Sequence, residues 1–174
     1  MTNIRPTFYF EKDIMKPIRA TGMLLYKYRD SKIEILLNKT ENKYYYEDLG
    51  GKTDIDDKTY FDTAIREIAE ETNLKIIFTM EQICDAKTIY NKKAKYLLFI
   101  VEATEEQKIL QKNDFDKIET HSNIQREIDW KEVLTFKNIQ LHPRLPKKKL
   151  KQYFDEIISI LEIESKLQTI NLDN

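Results

Sequence analysis

Glycine is the residue that most constrains this chain. Only three occur in 174 residues, against about 7% in ordinary proteins, and two of them, Gly50 and Gly51, are neighbours. A chain so sparing with glycine keeps such a pair for a backbone reason. Either a positive φ is needed, or another group approaches too closely for a Cβ. The pair follows Tyr44, Tyr45 and Tyr46 and closes the stretch Glu47 to Gly51, which reads as a loop. Before it, Ile18 to Tyr28 and Lys32 to Lys39 read as two strands, joined by a polar turn at Arg29, Asp30 and Ser31.

After the pair the apolar spacing becomes helical. Phe61, Ala64, Ile65 and Ile68 form one stripe, which predicts a helix over Thr59 to Thr72. Thr59 suits the N-cap, with Asp62 three residues on as its capping-box partner. Asn73, which tolerates the left-handed conformation, suits the end. Lys75 to Thr79, Glu81 to Tyr90 and Lys95 to Ala103 then read as strands, with a polar turn at Asn91 and Lys92. Glu105 to Gln125 reads as charged loop with some helix, and Glu127 to Trp130 as one more short strand. Leu150, Phe154, Ile157, Ile158 and Leu161 mark an amphipathic C-terminal helix from Lys147 to about Leu167. This order predicts a mixed α/β domain spanning residues 1–174, with an N-terminal arm over 1–17, and not the regular alternation of a doubly wound fold.

Charge and cysteine content narrow the function classes. The 29 basic and 30 acidic side chains leave a net charge of -1, which removes any global case for nucleic-acid binding. One dense basic run, His142 to Lys151, contains Arg144, Lys147, Lys148, Lys149 and Lys151. It reads as a solvated helix start or as a contact for RNA phosphates. Cys84 is the only cysteine and reads as a small buried apolar residue, consistent with a reducing compartment. His121 and His142 share no zinc-like spacing with it, although His121, close to Glu119, is a candidate substrate contact. Trp130 reads as core. No stretch approaches the roughly 20 apolar residues of a membrane span, and the N-terminus lacks a basic start with an apolar core behind it. The expectation is a soluble cytoplasmic protein with no membrane partner.

The chemistry sits in Arg66-Glu67-Ile68-Ala69-Glu70-Glu71. At helical spacing Glu67, Glu70 and Glu71 fall within about 100° of one another, away from the apolar stripe. Like charges so close repel on an isolated helix. A solvated acidic face is the plain reading. The chemical one is a divalent cation: Mg²⁺ takes hard oxygen ligands and shares them with phosphates. Arg66 adds a permanent cation able to hold one carboxylate.

The run GGKTDIDDKTYFDTAIREIAEETNL resembles the Nudix box, G-x5-E-x7-R-E-U-x-E-E-x-G-U, with U a bulky aliphatic residue. Arg66, Glu67, Ile68, Glu70, Glu71 and Leu74 match the second half, and Gly51 matches the opening glycine if one residue is inserted. The upstream acid then falls on Asp57 or Lys58, with Asp57 the better fit. Asn73 stands in place of the later glycine, and Leu49 in place of a common proline. The resemblance implies a Nudix-like α/β/α sandwich, a mixed sheet with the catalytic helix and a C-terminal helix.

It also implies metal binding by Glu67, Glu70, Glu71 and the Gly51 carbonyl, with Arg66 orienting Glu67 and Asp57 as a supporting acid. Mg²⁺, or Mn²⁺ in its place, would polarise a phosphoryl oxygen and acidify a water. Glu70 is one candidate base, and Glu119 or Glu127 a downstream alternative. Tyr46, Gly50 and Lys52 are candidate substrate contacts. The implied activity is cleavage of a pyrophosphate in a nucleoside diphosphate linked to a group X. Its alternatives are an RNA-decapping hydrolase and a catalytically weak nucleotide-sensing module.

Overall fold

A strand buried on both faces needs apolar side chains in both directions, and the segment after Ile18 supplies them: Met23 and Leu25 enter one core, Leu24 the other. The computed structural model describes residues 5–29, 32–120, 122–134 and 138–172. In chain order, β1 (Phe8–Tyr9) and β2 (Pro17–Ile18) make a small antiparallel ribbon. There follow β3 (Ala20–Arg29), β4 (Lys32–Thr40), β5 (Leu49–Lys52), α1 (Tyr60–Glu71), α2 (Met80–Ile83), β6 (Lys87–Asn91) and β7 (Tyr96–Glu102). The chain continues through α3 (Glu105–Lys108), β8 (Arg126–Glu132) and α4 (Lys147–Leu172).

Among the described residues, six strands form one mixed sheet in the order β6-β7-β3-β4-β8, and β5 pairs with the first half of β3. β3 runs parallel to β7 and antiparallel to β4 and β5. Along β7, Leu97, Phe99 and Val101 join Met23 and Leu25 beneath Ala64 and Ile68 of α1. Tyr96, Leu98 and Ile100 point the other way, against Leu150 and Phe154 of α4. The period of two thus feeds two separate cores, and a helix covers each face.

Helix α1 starts where the capping pair predicts. Asp62 N–H donates to Thr59 Oγ1 at 3.2 Å, and Thr59 N–H donates to Asp62 Oδ2 at 2.8 Å. Four expectations are corrected. Gly50 and Gly51 lie in a strand, not a loop, and no glycine has a positive φ. Lys75 to Thr79 is irregular, and no strand pairs with it among the described residues. Its Ile76 and Phe78 are buried and Ile77 exposed, so the alternation is present without a ladder. Glu81 to Tyr90 divides into α2 and β6, because Thr79 and Gln82 cap a helical turn there. Cys84, at the end of that turn, is exposed. The N-terminal arm is tied down by Thr53 Oγ1, which donates to Pro6 O at 2.7 Å. Asp30 and Ser31 of the expected turn lie outside the described residues.

The glycine pair is explained by close approach. Gly50 faces Gly22 across the β3–β5 ladder. A Cβ on Gly50 would run into the Gly22 Cα and the Thr21 carbonyl and lie 2.6 Å from the Tyr96 hydroxyl. Gly50→Ala is therefore expected to lower unfolding stability by about 1–3 kcal/mol, the range for overpacking a close-fitted site. A denaturation midpoint equal to the parent's would show that the two strands can part without cost.

Candidate active site

Arg66 organises the acidic face of α1. Nε and Nη2 donate to the two oxygens of Asp57, each at 3.0 Å. Nη1 donates to Glu67 Oε1 at 2.8 Å and to Glu70 Oε2 at 3.0 Å, and Nη2 also reaches the Lys52 carbonyl at 2.9 Å. A guanidinium has five N–H donors, and all five are used. Asp57 is buried. Burial pushes its carboxyl up, but the Arg66, Asp54 N–H and Thr63 hydroxyl hydrogen bonds outweigh that and hold it below the usual carboxylate range. Of the two residues that could fill the upstream acidic position, Asp57 is the one Arg66 holds. Lys58 is exposed and gives only its N–H, to Asp62.

The other two candidate ligands meet the glycine strand. Glu71 Oε2 accepts from Gly50 N–H at 2.8 Å. Burial pushes the Glu71 carboxyl well above its ordinary value, against the pull of Arg144 and Arg126. Burial also raises Glu67, and Arg66 opposes it. A Cβ on Gly51 would lie 2.6 Å from Glu67 Cδ, so only glycine lets this carboxylate lie against the strand. Glu70 is the more open carboxylate, with its side chain 30% exposed against 14% for Glu67. Among the described residues, no three acidic, histidine or cysteine side chains already converge as a metal cage, because Glu67 and Glu70 turn to Arg66.

On β8, Ile128 and Trp130 face α1, and strand alternation puts Arg126 on the same face. Arg126 is buried; its Nη2 reaches the Glu70 carbonyl at 3.5 Å and its Nη1 lies 2.9 Å from Glu119 Oε2. Nε and Nη1 have no hydrogen-bond partner, the Glu119 contact being an ion pair off the bonding direction. Glu119 is thereby brought next to α1, while Glu127, one residue from Arg126, takes the opposite direction and pairs with Lys112 at 2.6 Å. The sequence reading missed Arg126, and its signal was this same alternation with Ile128 and Trp130.

The remaining candidates are scattered. Tyr46 packs with the core under α4, between Lys39 and Lys131, whose ammonium groups lie 5.3 and 5.8 Å from its ring centre. Lys52 contributes its carbonyl to Arg66, and its side chain is exposed. Arg144 is not part of a basic surface patch. Its Nε donates to Asp48 Oδ1 at 2.8 Å, its Nη2 to the Asp48 carbonyl at 3.0 Å, and it lies over the Tyr96 ring. The fully buried Asp48 needs that charge. His121 lies outside the described residues. A cavity of about 410 Å³ opens beside β8, lined by Lys39, Thr40, Lys112, Lys117, Arg126 and Glu127 among others.

No protein-family model and no curated protein matches this chain. Solved structures do. The NUDIX domain of Shewanella oneidensis NrtR, in complex with ADP ribose, aligns with a TM-score of 0.53 at 17% identity, over 81% of this chain and 88% of that one. A C. elegans Ap4A hydrolase in a binary complex gives 0.49 at 20% identity, over 83% and 98%. A mutator MutT protein from Bacillus halodurans gives 0.46 at 18%, over 80% and 81%. The chain has the Nudix fold: a mixed sheet between helices, with the acidic helix α1 packed on the glycine-bearing strand. No helix among the described residues is long and apolar enough to cross a membrane.

Because burial raises Glu71, the carboxylate weakens the metal-free fold once pH exceeds its unfolded value. At low pH both states hold the proton and the cost vanishes. Glu71→Gln, whose amide oxygen can still accept from Gly50, is expected to melt at the parent's temperature in acid. Toward neutral pH, in chelator, it should melt progressively higher. Identical melting curves across that range would remove the assigned burial penalty.

Proposed function

We propose that this chain is a Mg²⁺-dependent hydrolase that cleaves a pyrophosphate linkage in a nucleoside diphosphate-X substrate. The observation that carries the reading is the acidic face itself: Asp57, Glu67 and Glu70 gathered on one fully used arginine, with Glu71 hydrogen-bonded to the glycine strand. The donor set suits the metal, since Glu67, Glu70, Glu71 and the Gly51 carbonyl offer only hard oxygens. Gly51 leaves room where a Cβ would fill the space against Glu67. Mg²⁺ or Mn²⁺, when bound, supplies charge neutralisation for the phosphates and a more acidic water.

This chain's own groups do the rest. Arg66 fixes Asp57 and steers Glu67 and Glu70. Glu70, the more exposed carboxylate, takes the proton of the attacking water as the P–O–P linkage breaks. Arg126 pairs with Glu119, a second carboxylate able to share that proton. The cavity beside β8 is of ligand size; Lys39, Lys117 and Arg126 line it together with Glu41 and the Lys112–Glu127 pair, and the carboxylates of α1 do not. Substrates of this class include ADP-ribose, dinucleoside polyphosphates, nucleoside triphosphates, nucleotide sugars and capped RNA. With Arg144 engaged by Asp48, the decapping reading rests on Lys147, Lys148, Lys149 and Lys151 alone.

One observation favours a second reading, a nucleotide-sensing module: Glu67 and Glu70 lie on Arg66 and not around a common centre. Turnover decides. Purified protein with Mg²⁺ is expected to hydrolyse at least one member of that panel, and Glu70→Gln to lower kcat by about 10²-fold or more. Asp57→Asn should slow turnover and Lys58→Ala should not. Tight binding of a panel member with no hydrolysis in Mg²⁺ or Mn²⁺ would establish the sensing module instead.

A further inference from the structure

The Nudix pattern has a glycine directly after the acidic helix, and here that position is Asn73. It does what the glycine does: with φ 46 it turns the chain out of α1, its N–H donating to Glu70 O and that of Leu74 to Ala69 O. A glycine would stop there. The Asn73 side chain goes on to make four hydrogen bonds to a segment more than forty residues away. Nδ2 donates to Asp116 Oδ2 at 3.0 Å and to the Ile118 carbonyl at 2.9 Å; Oδ1 accepts from Thr120 N–H and Thr120 Oγ1, each at 3.1 Å. An amide has two N–H donors and two lone pairs, and all are committed to residues 116–120.

That segment is the outer arm of a hairpin whose inner arm runs into β8. Arg126 N–H donates to Lys117 O at 2.8 Å, Ile118 bridges Gln125, and Glu119 N–H donates to Ile124 O at 3.1 Å. Residues 116–118 and Thr120 are exposed; Glu119 turns inward to Arg126, which touches the Glu70 carbonyl. The outer arm is therefore fixed at both ends of one short path, by Asn73 on the helix terminus and by Arg126 on the sheet.

We propose that Asn73 is a positioning residue, a latch that seats residues 116–120 on the end of α1 and so sets Glu119 against Arg126. The latch rests on these contacts; its catalytic consequence rests on the hydrolase reading above. Asn73→Gly removes the amide and keeps the turn, whereas Asn73→Ala removes the amide and strains the left-handed turn.

Both variants are compared with the parent by melting temperature, by amide hydrogen exchange, and by kcat and KM on the nucleotide panel with Mg²⁺. Asn73→Gly should melt slightly below the parent's temperature, since it keeps the turn but loses four exposed hydrogen bonds. Its Glu119 amide, which donates to Ile124 O and not to Asn73, should exchange about tenfold faster, reporting the freed hairpin. Its kcat should fall about tenfold with KM within about twofold, as for a misplaced proton acceptor. Asn73→Ala should show the same kcat loss and a melting temperature lower again than that of Asn73→Gly. Unchanged exchange at Glu119 in Asn73→Gly overturns the latch. Faster exchange with parental kcat overturns its link to catalysis, as does a kcat that follows melting temperature across the two variants. A parent inactive on the whole panel defeats the hydrolase reading and the catalytic consequence together, and the exchange data still decide the latch.

Discussion

Three carboxylates share one guanidinium in this protein, and much of the site depends on how completely that cation is used. Asp57, Glu67 and Glu70 would repel one another if left to themselves, and the Lys52 carbonyl adds a fourth acceptor group to the same side chain. Because Lys52 belongs to β5 and Arg66 to α1, the network also ties the helix to the strand beneath it. The acidic face is thus directed toward the glycine strand. Hydrogen bonds to charged groups contribute about 1.5–3 kcal/mol each, enough in sum to keep these like charges in place. Arg66 stays protonated at any pH the fold survives, so the arrangement does not depend on a titrating group.

What was legible in the sequence was what local chemistry decides. The helix, its capping pair and its acidic face all depend on residues within four positions of one another, and α1 lies where spacing put it. The paired glycines were visible as an anomaly, but their cause was not, since the partner that forbids a Cβ on Gly50 is Gly22 on another strand. Ile76, Ile77 and Phe78 alternate as a strand should. Whether a neighbour offers a ladder is a tertiary fact, and there Thr72 Oγ1 accepts the Ile76 N–H instead. Cys84 was read by residue type, and a capped turn left it at the surface.

The downstream acid shows the same limit more sharply. Glu119 and Glu127 looked equivalent as isolated carboxylates in a polar region. The pleat separates them: Ile128 and Trp130 commit one face of β8 to α1, Arg126 follows them, and Glu127 turns away to Lys112. A residue type alone carried no information there, while its parity relative to two apolar neighbours did.

The ion network around Asp48 has a consequence for the order in which the chain can be completed during synthesis. Asp48 has no exposure to solvent, and its compensating charge arrives from Arg144, 96 residues later. Until that part of the chain has left the ribosome, the strand carrying Gly50 holds a carboxylate that must stay hydrated or unpaired, and the strand has good reason not to close. Pairings so distant in sequence form late. The strand that carries Gly50, and the acidic helix packed on it, can therefore be completed only after Arg144 has been made.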